Sequence, residues 1–153
     1  MATSPWELSL GNAKRQCKLF QMTEIDEMLN AASAAREMAY VPYSNFAVGA
    51  VVRGASGQLY AGCNVENAAY PQGQCAEASA IGALVLAGET EIIEALVVGP
   101  SGIPCTPCGG CRQRLREFAS DDVAVHVCEP EGKLLTMTIG ELLPNSFGPN
   151  HLK

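Results

Sequence analysis

The sequence predicts one α/β domain, a three-layer α/β/α arrangement around a five-stranded mixed sheet. Three observations predict it. Five short apolar segments have strand character, and helical patterns alternate with most of them. Two segment pairs are joined by tight glycine-containing turns, Gly54-Ala55-Ser56-Gly57 and Glu129-Pro130-Glu131-Gly132, which makes them hairpins. The run Ile92–Val98 is apolar almost throughout, as a strand covered on both faces must be.

The elements follow in order. Residues 1–20 show no clear period and are expected to form a loosely held arm, with the domain over residues 21–153. Thr23 has the chemistry of an N-cap with Asp26 at N3, and Ile25, Met28, Leu29, Ala32, Ala35, Met38 and Ala39 share one helical face. Val41-Pro42-Tyr43-Ser44 ends that helix. Phe46–Val52 is predicted as a strand and Gln58–Val65 as its partner. Asn64–Gln74 is a polar loop of the kind that carries function. Cys75–Ala87 is predicted as a helix stopped by Gly88, and Ile92–Val98 as the central strand. Pro100–Pro107 is a loop. Cys108–Ala119 is a second helix, amphipathic through Cys111, Leu115 and Phe118. Val123–Cys128 and Lys133–Met137 are strands, and Thr138 with Glu141 forms a capping box for a short helix ending at Pro144.

Composition narrows the function. A chain of 153 residues with 48% hydrophobic residues can bury one proper core. The net charge is −6 and no lysine/arginine run is present, which argues against a nucleic-acid partner. Met1–Leu8 has neither a basic segment nor an apolar one, and runs such as Ala95–Gly99 are far too short to span a bilayer. A soluble, cytoplasmic protein without a membrane partner is expected. Seven cysteines in such a chain suggest metal ligation or free thiols rather than a disulfide framework.

Cys75-Ala76-Glu77 and Pro107-Cys108-Gly109-Gly110-Cys111 carry the chemistry. Each opens a predicted helix, where the N-terminal partial positive charge favours thiolate. Cys108 and Cys111 are three residues apart and share a helix face. Three thiolates with a vacant fourth position describe a catalytic zinc site, since a structural one takes four protein ligands. Glu77 stands near that vacancy, where a carboxylate can move a water's proton. Cys105 is the competing feature: as a fourth ligand it would close the site and leave a non-catalytic zinc-stabilised module. Cys17, Cys63 and Cys128 are most simply small, buried or partly buried residues.

These residues resemble the zinc-dependent cytidine deaminases of the short, homotetrameric class, from about Met22 to Gly148. Tyr43-Ser44-Asn45-Phe46-Ala47-Val48-Gly49-Ala50, Gly62-Cys63-Asn64-Val65-Glu66-Asn67-Ala68 and Cys108-Gly109-Gly110-Cys111-Arg112-Gln113 each resemble a motif of that family. Glu141-Leu142-Leu143-Pro144-Asn145-Ser146-Phe147-Gly148 resembles its C-terminal motif. The resemblance implies a cytidine deaminase-like fold and hydrolytic deamination of cytidine and 2′-deoxycytidine, a step of pyrimidine salvage. It implies one zinc per chain on Cys75, Cys108 and Cys111, with Glu77 moving protons to N3 and to the leaving amino group. It implies that Asn64 and Glu66 bind the ribose, Phe46 stacks on the pyrimidine and the Ala76 N–H reads the base edge. It also implies a homotetramer in which Phe147 and Tyr70 reach a neighbouring subunit's site. A modified or antibiotic pyrimidine nucleoside is the alternative substrate. The chain departs from the family at Ala78, where three-cysteine members carry an arginine that offsets thiolate charge. Two helix dipoles, or Gln74, Gln113 or Arg112, are the expected compensators.

Overall fold

The structure is a computed structural model and describes residues 24–132 and 134–152. The Thr23 cap, Cys17 and the arm over residues 1–20 lie outside the described residues. Helix α1 covers residues 24–37. Strands β1 (Gly49–Gly54) and β2 (Leu59–Cys63) form the first hairpin; α2 (Ala76–Leu86) and β3 (Ile92–Val98) follow. Then come α3 (Gly109–Phe118), β4 (Ala124–Cys128), β5 (Leu134–Thr138) and a short α4 (Ile139–Leu142). The sheet order is β2-β1-β3-β4-β5. Only the β3–β4 pair is parallel, which makes the sheet mixed, as expected.

The central strand separates two apolar layers. Leu96 and Val98 face Met28 and Ala32 of α1, with Val51 and Cys128 beside them. Ala95 and Val97 face the opposite way, toward Leu84 of α2, Leu115 of α3 and Ile139 of α4. Alternation along β3 therefore produces the three layers. Each of the fully buried large side chains contributes about 1.5–3 kcal/mol of transfer free energy.

Two glycines set the spacing between layers. A Cβ at Gly49 would stand 1.9 Å from the Ala32 carbonyl oxygen, so α1 lies directly on β1. A Cβ at Gly62 would stand 2.3 Å from the Ala80 nitrogen, which presses β2 onto the first turns of α2. Close approach of backbone to backbone requires glycine at both.

Element ends shift from the sequence expectation by one to three residues. Phe46 is not in β1, because the Asn64 side chain takes its backbone partners: Nδ2 donates to the Phe46 carbonyl and Oδ1 accepts the Val48 N–H. Helix α1 stops at residue 37, and Met38, though in phase with the apolar face, is 77% exposed. The Thr138–Glu141 capping box is present, with both reciprocal bonds formed.

Candidate active site

Cys75 is the N-cap of α2 and Cys108 the N-cap of α3, both with extended backbone. Cys111 is the third helical residue of α3, so it returns to the same end of that helix as Cys108. The two helices lie on one face of the sheet, and their N-termini bring the three sulfurs within 4.8 Å of one another. The Cys75 and Cys108 sulfurs are 3.9 Å apart. A tetrahedral zinc with bonds of about 2.3 Å sets its sulfurs at about 3.8 Å. The donor set and its spacing thus suit zinc.

Cys105 is not a member of this cluster. Its Cβ packs where a Cβ of Gly99 would otherwise stand, 2.2 Å from that position. Among the described residues the cluster therefore has three protein donors, the number of a catalytic site rather than a closed structural one.

The electrostatics follow from burial and from the helix termini. Burial, with the Cys108 thiol and the Glu77 carboxylate, holds the Cys75 thiol above its ordinary range against an opposing hydrogen bond with Cys111. Burial, then Glu77, raises Cys111 far more. Burial acts against Cys108 too, but the Cys111 N–H and the two neighbouring thiols outweigh it and bring Cys108 below its ordinary range. Burial also raises Cys105. A divalent cation must displace these protons, so its binding is pH-linked.

Glu77 is the second residue of α2 and only 5% exposed, with its carboxylate against the Cys111 thiol. It opens onto a cleft of about 210 Å³ that Phe46, Asn64, Ala76 and Cys75 also line. Ala76 is the first residue of α2, where backbone N–H groups have no helical acceptor. Val48, Cys105, Thr106 and Cys108 complete the wall. Val48 had no separate signal in the sequence, being one apolar residue in an apolar run.

Other expected contacts sit apart from that cleft. Glu66 lines a neighbouring cavity of about 350 Å³ with Tyr43, Ser44 and Tyr70. Its Oε2 accepts the Tyr43 and Ser44 N–H groups, and the Ser44 hydroxyl, then these N–H groups, hold its carboxyl below the usual range. Tyr70 is 78% exposed and tilts against Tyr43 at 6.2 Å. Phe147 is 56% exposed and lines neither cavity. Its carbonyl accepts from Gln113, and its ring stacks on His151 at 4.9 Å.

The side chains expected to balance the thiolates give their hydrogen bonds to other acceptors. Arg112 donates to the Pro107 and Leu142 carbonyls at 2.8 Å each, with Thr106 at 3.4 Å. Gln74 donates to Ser79, and Gln113 to the Phe147 carbonyl.

A model of the cytidine and deoxycytidylate deaminase zinc-binding region matches residues 22–127. The chain belongs to this deaminase family. Among relatives, the cytidine deaminase of Sporosarcina psychrophila is 36% identical over 129 residues, covering 84% of this chain and 95% of that one. The Mycobacterium tuberculosis cytidine deaminase is 39% identical over 124 residues, covering 80% and 88%. Among solved structures, the Burkholderia pseudomallei cytidine deaminase superposes with a TM-score of 0.76 at 40% identity, covering 80% of this chain and 98% of that one. The family's zinc-binding region thus spans both cysteine segments, and the deaminase fold is the one described above.

Proposed function

We propose that this deaminase-family chain hydrolyses cytidine and 2′-deoxycytidine to uridine and 2′-deoxyuridine with release of ammonia. The observation that carries the reading is one cleft lined by Cys75, Cys108, the buried Glu77 carboxylate and the Phe46 ring, with the buried Cys111 sulfur within 4.8 Å of the other two sulfurs. Cys75, Cys108 and Cys111 would hold the zinc. When bound, zinc lowers the pKa of a water toward about 7 and so supplies a nucleophile at neutral pH.

The chain's own residues do the remaining work. Glu77 takes a proton from the attacking water and gives it to N3, then takes the proton of the new C4 hydroxyl and gives it to the amino group, so that the C4–N bond breaks and ammonia leaves. The Ala76 N–H at the start of α2 bonds the base edge. Phe46 offers a stacking face worth about 1–3 kcal/mol. Asn64 keeps one amide hydrogen and Glu66 one carboxylate oxygen beyond their backbone bonds, and these bind the ribose hydroxyls. Phe147 and Tyr70, both outward-facing, complete the site of a neighbouring copy in a homotetramer. Free cysteines at all six described positions suit the reducing cytoplasm. No helix among the described residues is long and apolar enough to cross a membrane.

The test is release of ammonia and uridine from cytidine by the purified chain, beside Glu77→Gln. The parent turns over, whereas Glu77→Gln loses at least about 10²-fold in kcat and retains one zinc per chain. Turnover by Glu77→Gln at the parent's rate would remove Glu77 from the chemistry. A substrate panel of modified pyrimidine nucleosides, with cytidine inert, would replace the substrate and leave the reaction type intact.

A further inference from the structure

Three thiolates around Zn²⁺ carry a net charge of −1, and binding from neutral thiols takes the site from zero to that charge. A fixed positive charge nearby therefore favours the loaded state. Two helix N-termini supply part of it. Arg112, adjacent to Cys111, adds charge nearby while its N–H groups are committed to the Pro107 and Leu142 carbonyls.

Arg114 stands one turn along α3 from Gly110 and Cys111. Its side chain runs back toward the helix start: one guanidinium nitrogen lies 3.2 Å from where a Cβ of Gly110 would stand. Gly110 is the second residue of α3, directly between Cys108 and Cys111 in sequence. No Cβ there keeps the guanidinium off the first turn. Among the described residues Arg114 has neither a carboxylate within ion-pair distance nor a hydrogen-bond acceptor. It lines a groove between α2 and α3 whose opposite wall includes Ala78, the third residue of α2.

We propose that Arg114 is the charge-balancing residue of the metal centre, its guanidinium over the first turn of α3 offsetting the excess negative charge of the three thiolates. This rests on the zinc reading above. Arg114 touches neither substrate nor metal; it acts on the thiolates through space, and charge rather than shape is what it contributes. An arginine at position 78 would enter the same groove from the other helix and do the same.

The experiment measures zinc stoichiometry, zinc affinity by chelator competition at pH 7, and the sulfur-to-cobalt charge-transfer band of the Co²⁺-substituted protein. The variants are Arg114→Gln, Arg114→Lys and the double variant Ala78→Arg/Arg114→Gln. Arg114→Gln is expected to bind zinc about threefold to tenfold more weakly and to move the band to lower energy, because uncompensated thiolates donate more strongly. Arg114→Lys keeps the parent's values, and Ala78→Arg restores them in the Arg114→Gln background. Parent-like affinity and band energy in Arg114→Gln, with one zinc bound per chain, would overturn the proposal. So would a change confined to subunit dissociation on sedimentation, which would assign Arg114 to a contact between copies. A parent that binds no zinc overturns the metal reading itself, and this proposal with it.

Discussion

Substituting Gly62 by alanine tests how tightly the metal-bearing helix depends on the sheet beneath it. The new Cβ would stand 2.3 Å from the Ala80 nitrogen and 2.6 Å from the Ala76 carbonyl oxygen. Ordinary contact begins at 3.4 Å, so β2 and the start of α2 must separate by about 1 Å. Neither obstacle is a flexible side chain; both are helix backbone. The Ser79 hydroxyl, which donates to the Cys63 carbonyl across this seam at 2.9 Å, is stretched by the same movement. Overpacking of this kind costs about 1–3 kcal/mol. For a domain of this size that lowers Tm by roughly 3–10 °C. The effect on catalysis should exceed the effect on stability, because Cys75, Ala76 and Glu77 are the residues displaced. A misplacement of about 1 Å costs on the order of 10²-fold in rate. The assay is kcat/KM for cytidine at a temperature well below the variant's own melting point, with circular dichroism for Tm. A Gly62→Ala chain within twofold of the parent in kcat/KM and within about 1 °C in Tm would refute the claim that this contact positions the helix.

Arg112→Lys keeps the charge but loses the planar fork that ties Pro107, Thr106 and Leu142 together; we expect a loss of about 2 kcal/mol or more in urea unfolding, with weaker zinc retention because the Cys108 loop loosens. Glu94 bonds His126 first and Arg53 next, which holds its carboxyl below the usual range. Its contribution is therefore complete above the unfolded value of about 4.3 and disappears as pH falls through the lower folded value. The parent should exceed Glu94→Gln by about 1–3 kcal/mol at pH 7 and converge on it in strong acid, and a gap unchanged with pH would show that packing rather than charge is responsible. Because burial raises the Cys75 and Cys111 thiols, zinc affinity should fall steeply on acidification, and calorimetry in buffers of different ionisation enthalpy should count two to three protons released per zinc. Phe147→Ala mixed with Glu77→Gln should recover activity above either alone if Phe147 serves a neighbour's site; mixtures no more active than the sum would place Phe147 outside it.

Much of the fold was legible because burial imposes period on the sequence. The run Ile92–Val98 had to be central, and the Thr138–Glu141 pair had to start a helix. The metal ligands were legible for a related reason, since Cys108 and Cys111 are spaced for one helix turn and Glu77 follows Cys75 closely. What stayed hidden depends on which residue satisfies which backbone group. Phe46 continues an apolar run, yet the Asn64 amide occupies its ladder positions and leaves the ring 48% exposed beside the cleft. Nothing in a run of apolar letters signals that a side chain eighteen positions later will replace a strand.

The polar row on the α1 face makes the same point about register. Arg53, Glu94, His126 and Thr136 each interrupt an apolar strand, and singly each looks like an ordinary edge position. Only the pairing of β1, β3, β4 and β5 lines them up. His126, 5% exposed, then bonds Thr136 at 2.8 Å on one side and Glu94 at 2.9 Å on the other, and Glu94 reaches Arg53 at 2.9 Å. A single-residue slip in any of these strands would turn one member to the opposite, apolar face and leave its partners unpaired, at a cost of several kcal/mol. The row therefore fixes register at the end of the sheet away from Gly49. The apolar residues alone would fix it less firmly, since Val51, Val52, Val97 and Val98 are nearly interchangeable in shape. Register in turn sets where β1 ends and where β2 meets α2, so this partly buried polar chain helps hold the Cys75–Glu77 segment in place from the far side of the sheet.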